Sequence, residues 1–344
     1  MQLRNMLEVV GCHAAGEIGN VVVSGVDSIP GDSMFDKRNH LQNHRDDIRK
    51  LLLHEPRGSV ACHANILFPS AHPEADMGFV ILEPTEYPAM SGSNTMCVAT
   101  VLLETGILPM QEPLTTLTLE SPAGLIRVEC ECRDGQVKKV RFTNQPAFAY
   151  HLGAEVDVPD LGRLTVDVAW GGMAYVLVDA ASLGYHLIPE EAGELAQLGQ
   201  KIKASAAEQL RAVHPTHPEY PGITQTEFTT PVETIDGVLT ARNGVVISPG
   251  RFDRSPCGTG TSARLAVLHA RGEIAPGQLL RHDSITGSRF EASITATTMV
   301  CEKDAVIPTV SGTAWITGTM NFGIAPGDPF PEGYIIGDTW LNES

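Results

Sequence analysis

One short pattern occurs twice in this chain and narrows the folds open to it. The first copy runs Met90-Ser91-Gly92-Ser93-Asn94-Thr95-Met96-Cys97-Val98-Ala99 and ends at Gly106. The second runs Pro256-Cys257-Gly258-Thr259-Gly260-Thr261-Ser262-Ala263-Arg264-Leu265 and ends at Gly272. Each joins a small nucleophilic side chain to a glycine, then to small polar residues, then to an apolar helical stretch stopped by glycine. The spacing from Ser91 to Gly106 equals that from Cys257 to Gly272. A polar turn entering a helix leaves backbone N–H groups unpaired and sets the positive end of the helix dipole there. Such a turn can hold a carboxylate. It is also where a thiol, with an ordinary pKa of ~8.5, is most easily ionised. Two such turns facing each other would hold one small acid between two proton-transfer groups.

The flanking sequence repeats in kind. Strand-like runs at Leu7–Val10 and Val21–Val23 enclose the turn Cys12–Gly19, and Leu164–Val168 and Ala174–Val178 enclose Trp170-Gly171-Gly172. Helical character is expected over Asp36–Leu53 and Pro189–Val213, where Leu195, Leu198 and Ile202 recur at helical spacing. Further strands are expected at Ala64–Phe68, Met77–Leu82, Leu114–Leu119, Leu125–Cys132, Val137–Asn144, Val238–Thr240, Val245–Ile247, Ser284–Thr286, Arg289–Thr298, Ala305–Val310 and Ala314–Met320. Two halves, each with one central helix among many strands, account for this order. A chain of 344 residues with no flexible linker between the halves suits two packed domains.

Composition removes other classes. Net charge is −17, and no Lys/Arg cluster points to nucleic acid. No run of 18 apolar residues and no signal peptide is present, so neither a membrane span nor export is expected. Seven scattered cysteines read as reduced thiols of a cytoplasmic protein. Cys130 and Cys132 share a strand face without a partner pair at zinc spacing, and His54, His63 and His72 are widely spread, so no metal is expected.

Asp253-Arg254-Ser255-Pro256-Cys257-Gly258-Thr259-Gly260-Thr261 resembles the second catalytic motif of the proline racemase family. Met90-Ser91-Gly92-Ser93-Asn94 stands where that family has Met-Cys-Gly-His-Asn. His13–Glu17, Glu55–Gly58, Trp170–Gly172 and Gly312–Ile316 resemble its other landmarks, in order, over nearly the whole chain. The resemblance implies an α/β (α+β) fold of two pseudo-symmetric domains of diaminopimelate-epimerase type. Each would wrap a sheet around a central helix, with the active site at the domain interface. The expected division is 1–160, carrying Ser91, and 161–324, carrying Cys257, with a strand at about 325–344 returning to the first domain. The resemblance further implies cofactor-independent chemistry at Cα of a hydroxyproline-type imino acid, and a homodimer.

The departures choose within the family. Ser91 replaces the first catalytic cysteine and Ser93 the following histidine, and this motif resembles the branch of trans-3-hydroxy-L-proline dehydratases. Ser91 and Cys257 are the expected catalytic pair. Gly92, Ser93, Gly258 and Thr259 would bind substrate through two helix starts, and Asp253 would take its amine or else only cap a turn. Ser91 could equally be no more than a helix N-cap, and His13 and Glu17 either site or ordinary polar residues. Racemisation needs a competent acid or base on each face of Cα, whereas dehydration of a 3-hydroxyl on the same face as Hα does not. Dehydration of trans-3-hydroxy-L-proline to 1-pyrroline-2-carboxylate is therefore the leading expectation. 2-Epimerisation of 4- or 3-hydroxyproline is the alternative, and a non-catalytic amino-acid-binding protein the third.

Overall fold

The computed structural model describes residues 3–218 and 220–340. Contacts within the chain group Met1–Phe142 with Gly312–Ser344 as one unit and Thr143–Ser311 as another. The sequence reading divides the chain at 160/161 and near 324; the two divisions differ over the strands Ala147–Val158 and Ala314–Ile324.

In the first unit the strand Ala314–Ile324 pairs antiparallel with Arg4–Ala14, which pairs antiparallel with Glu17–Ser24. The sheet continues parallel to Cys62–Phe68, antiparallel to Met77–Leu82 and parallel to Leu114–Ser121. It ends with the meander Leu114–Ser121, Gly124–Arg133 and Gln136–Thr143. From 325 to 340 the chain is mostly irregular, with one bridge from Tyr334 to Glu55.

The second unit repeats this sequence of pairings. Gly162–Trp170 pairs antiparallel with Ala174–Asp179, then come parallel Ile223–Thr229, antiparallel Val238–Ile247, parallel Leu279–Asp283, and antiparallel Arg289–Val300 and Lys303–Gly312. Ala147–Val158 pairs with both Gly162–Trp170 and Lys303–Gly312, closing the ring.

The helices sit at matching places. In the first unit α1 (Met34–His44) and α2 (Asp46–Leu53) connect its second strand to the parallel third, and α3 (Gly92–Glu104) leads into Leu114–Ser121. In the second unit α4 (Ala192–Gln209) and α5 (Gly258–Ala270) hold the equivalent positions. Every residue of α3 from Gly92 to Leu103 and of α5 from Gly258 to Leu268 is buried. A helix buried all round must be free of bulky polar groups or satisfy them internally. Here hydroxyls fold back on the helix itself: Thr95 Oγ1 donates to the Ser91 carbonyl at 2.8 Å and Ser262 Oγ to the Gly258 carbonyl at 2.9 Å.

Several expectations change. The helical run Asp36–Leu53 is two helices, the first entered at Ser33 through a capping box with Asp36 and broken at Arg45. Asp46 and Asp47 explain the restart, because carboxylates favour a helix N-terminus; Arg49 Nε pairs with Asp46 at 2.7 Å. The run Pro189–Val213 begins as a 3₁₀ turn at Pro189–Glu191 and its α-helix stops at Gln209. Ser284–Thr286 is a turn, closed by Ser284 N–H donating to the Ser288 carbonyl; the strand precedes it at Leu279–Asp283. Ala147–Val158 and Ile223–Thr229 are two further strands that the sequence pattern does not mark. Ala147–Val158 has an irregular burial pattern, and it crosses two register shifts against its neighbour.

Gly171 sets how closely strand and helix meet. A Cβ there would lie 2.1 Å from the Thr259 carbonyl oxygen and 2.4 Å from the Ala263 nitrogen, both backbone atoms of α5. Gly171→Ala is expected to cost about 3 kcal/mol through overpacking that no side-chain rotation relieves. Urea unfolding checks this, and an unchanged midpoint would refute it.

Candidate active site

In the first unit, the turn entering α3 places Ser91 at the N-cap with extended backbone (φ −149°, ψ 126°), yet its side chain makes no capping bond. The hydroxyl is half-buried and instead accepts from Asn94 Nδ2 at 2.9 Å, with Ser93 Oγ 3.4 Å away. Gly92 and Ser93 are the first two residues of the helix, both buried. Because Asn94 donates to Ser91 Oγ, the serine proton is left to point elsewhere, and the hydroxyl is arranged as a donor.

Asn94 is the centre of a buried polar group. Its Oδ1 accepts from Asn65 Nδ2 at 2.8 Å, and its Nδ2 also lies 3.2 Å from His63 Nδ1. His63 stands 3.5 Å from both Glu17 and Glu83. Gly19 makes room for this arrangement, since a Cβ there would sit 2.8 Å from Asn94 Oδ1. Glu17 is therefore an interior residue beneath α3. His13 is near the end of the strand Arg4–Ala14, accepting from the Gly16 amide at 3.2 Å and stacked on Trp315 at 5.2 Å.

In the second unit, Cys257 caps α5 with φ +60°, a left-handed value that a non-glycine residue adopts at some cost. Strain of this kind is commonly kept where a side chain must be aimed. Asp253 and Ser255 hold the turn: Asp253 Oδ1 accepts from the Ser255 amide at 2.8 Å and from Ser255 Oγ at 3.0 Å, and Ser255 Oγ accepts from the Cys257 amide at 3.1 Å. Asn243 Nδ2 donates to the Pro256 carbonyl at 2.7 Å and to Glu227 Oε1 at 2.9 Å.

Around the thiol, the Gly260 amide donates to Sγ at 3.4 Å, Tyr175 Oη lies 3.5 Å away and Thr259 Oγ1 3.6 Å. Tyr175 Oη and Thr259 Oγ1 are themselves 2.6 Å apart. Gly258 and Thr259 are the first residues of α5, both buried. The sequence reading expected the helix end to ease ionisation of this thiol. The structure reverses the direction: burial pushes the Cys257 thiol well up and the Asp253 carboxylate adds to it, against weaker help from Tyr175, the Gly260 amide and Thr259. Burial likewise raises the Tyr175 phenol.

Beneath the turn, burial raises Glu227 to about 8, opposed by the Asn243 hydrogen bond and the Arg264 charge. The carboxyl is thus neutral at pH 7, with Oε2 unpartnered among the described residues. His282, whose Nδ1 is 2.9 Å from Thr261 Oγ1, is lowered by burial to about 3 and stays neutral too. Reasoning from sequence missed Tyr175, Asn243, Glu227, His63 and Asn65. The alternation of polar residues on otherwise apolar strands, as in His63-Ala64-Asn65, was the signal present.

A sheet wrapped round a buried helix occurs in each unit, with Ser91 at the mouth of α3 and Cys257 at the mouth of α5. The chain belongs to the proline racemase family, whose model matches residues 9–335. It is similar to a hydroxyproline epimerase from Agrobacterium vitis crystallised with trans-4-hydroxy-L-proline. The two are 38% identical over 99% of this chain and 98% of that one, with a TM-score of 0.90. It is similar also to a probable proline racemase from Agrobacterium radiobacter with bound carbonate, at 39% identity over 98% of each chain and a TM-score of 0.89. A phenazine biosynthesis protein of the PhzF family from Bacillus anthracis shares the fold, at 13% identity, 93% and 100% coverage and a TM-score of 0.58. No helix among the described residues is long and apolar enough to cross a membrane.

Glu227 carries a pH signature. Unfolded, it would ionise near its ordinary 4.5; folded, it holds its proton to about 8. Between those values the folded state binds more protons, so stability contributed here falls as pH rises, at up to ~1.4 kcal/mol per pH unit. Glu227→Gln is expected to abolish that slope. The check is urea unfolding of both proteins across this window, and equal slopes would refute a protonated Glu227.

Proposed function

We propose that this chain dehydrates trans-3-hydroxy-L-proline without a cofactor, giving 1-pyrroline-2-carboxylate. The observation that carries the reading is the chemical inequality of the two helix mouths: Cys257 is a thiol and Ser91 a hydroxyl already arranged as a donor by Asn94. A serine hydroxyl is a poor base unless another group takes its proton. Asn94, a donor here, does not.

Cys257 serves as the base. The substrate's ring ammonium brings a positive charge that opposes the burial raising the thiol's pKa. The thiolate takes Hα, the C2–H electrons form the C2=C3 bond, and the C3–O bond breaks. Because Hα and the 3-hydroxyl share a face in this isomer, the same sulfur returns the proton and water leaves. The resulting enamine moves its N–H proton to C3 and becomes the imine. Charge developing on the substrate carboxylate falls to the first amides of the helices, at Gly92, Ser93, Gly258 and Thr259. Ser91 holds the substrate by donating to it, and Asp253 contributes negative charge beside the ammonium.

A second reading has its own support. The Agrobacterium vitis relative is a hydroxyproline epimerase crystallised with trans-4-hydroxy-L-proline, and the comparisons weigh toward 2-epimerisation at the level of the family. In that reaction Ser91 would return a proton to the opposite face of Cα.

Incubation with trans-3-hydroxy-L-proline should yield a cyclic imine trapped by aminobenzaldehyde. Silence with that compound, together with Cα deuterium uptake by 4-hydroxyproline in heavy water, would replace dehydration by epimerisation. Cys257→Ser should lower either rate by ~10²–10⁴-fold, the usual worth of a positioned acid–base group. Ser91→Cys should raise epimerisation relative to water loss. Because the thiol is pushed up, kcat/KM should keep rising with pH beyond the ordinary thiol range. A plateau reached below neutrality would rule out Cys257 as the base.

A further inference from the structure

A cavity of about 690 Å³ opens on the second unit, lined entirely by its residues and by none of those described above at the mouth of α5. Its floor holds Arg264, the seventh residue of α5, only 8% exposed. Nη2 of Arg264 donates to the Thr230 carbonyl at 3.1 Å, while Nε has no partner among the described residues. No carboxylate among those residues forms an ion pair with it, although Glu227, Glu273 and Asp167 act on it from farther away. A buried guanidinium without a counter-ion is costly, and such groups are ordinarily paired.

The other lining charges say what would complete the pairing. Asp167, also on the floor, is already engaged with Arg271 Nη2 at 2.6 Å and with the Gly153 amide at 2.8 Å. Arg163 at the rim is shared between Glu155 and Asp157, which do not line the cavity. Asp179 and Glu273 are rim carboxylates; among the described residues the Asp179 carboxylate accepts only from the Ala181 amide, at 3.2 Å. The lining therefore carries three guanidinium groups and three carboxylates. What remains unpaired is one cation at the bottom and two anions at the edge. A phosphate-like polyanion would meet three carboxylates, and an organic cation three guanidinium groups. A molecule with a carboxylate at one end and an ammonium at the other meets neither penalty.

We propose that this cavity is a second ligand site that takes a zwitterionic α-amino or imino acid. Its carboxylate would lie on Arg264 and its ammonium against Asp179 and Glu273, with water filling the remaining volume. The site is independent of the catalytic assignment above.

The test is equilibrium dialysis with radiolabelled L-proline on four forms: the unaltered chain, Ser91→Trp, and Ser91→Trp carrying either Arg264→Met or Asp179→Asn. Ser91→Trp fills the helix mouth of the other unit and leaves this cavity intact. The expected result is that Ser91→Trp still binds one L-proline per chain. Arg264→Met and Asp179→Asn, each introduced into Ser91→Trp, should weaken that binding at least ~10-fold, as loss of a charge-assisted contact does. Asp179 is exposed, so its variant folds even if loss of the buried guanidinium does not allow Arg264→Met to do so. Binding absent from Ser91→Trp, or unaffected by Asp179→Asn, overturns the proposal. Tighter binding of inorganic phosphate than of L-proline to Ser91→Trp overturns it as well.

Discussion

Enclosing an entire helix in a sheet is the constraint on which this protein depends. α3 is buried from Gly92 to Leu103 and α5 from Gly258 to Leu268, all but their last one or two residues. The first residues of each helix, Gly92 and Ser93 or Gly258 and Thr259, are buried, so the amides a helix leaves unpaired at its start must find partners within a confined space. The same burial needs close backbone approach, which is why Gly171 meets α5 and Gly19 meets α3 at distances no Cβ allows. The anion-seeking turns and the tight packing thus have one origin.

Burial also governs the electrostatics. It raises Cys257 and Glu227 and lowers His282 and Arg264, in each case as the largest cause. The interior under α5 consequently holds neutral Glu227 and neutral His282 at pH 7. A thiol in these surroundings does not ionise by itself in the physiological range. Under the function proposed above, ionisation of this thiol would rely on the positive charge that the substrate's ring ammonium brings.

Much of the fold was legible because its signals are local. Gly106 and Gly272 stop the helices, Pro122–Gly124 and Gly171–Gly172 turn the hairpins, and apolar runs such as Met77–Leu82 are strands for want of any other place to be. The family followed from the length of the motif at 253–261. Less legible were elements whose identity rests on partners far away in sequence. Ile223–Thr229 contains Gln225, Thr226 and Glu227, and reads as polar until α4, Val238–Ile247 and Asn243 are brought around it. Glu17 and His63 looked like scattered ionisable residues and are neighbours under α3.

The sequence alone determined the duplicated turn and helix, the class of protein, and the replacement of one thiol by Ser91, because each is written in contiguous residues with strong local preferences. Tertiary structure decided the rest. It chose Asn94 as the donor that sets the Ser91 hydroxyl, put Tyr175 against the Cys257 sulfur, and turned the expected ease of ionising that thiol into resistance. These outcomes depend on desolvation and on contacts between distant segments, and neither quantity exists until the chain has closed around its helices.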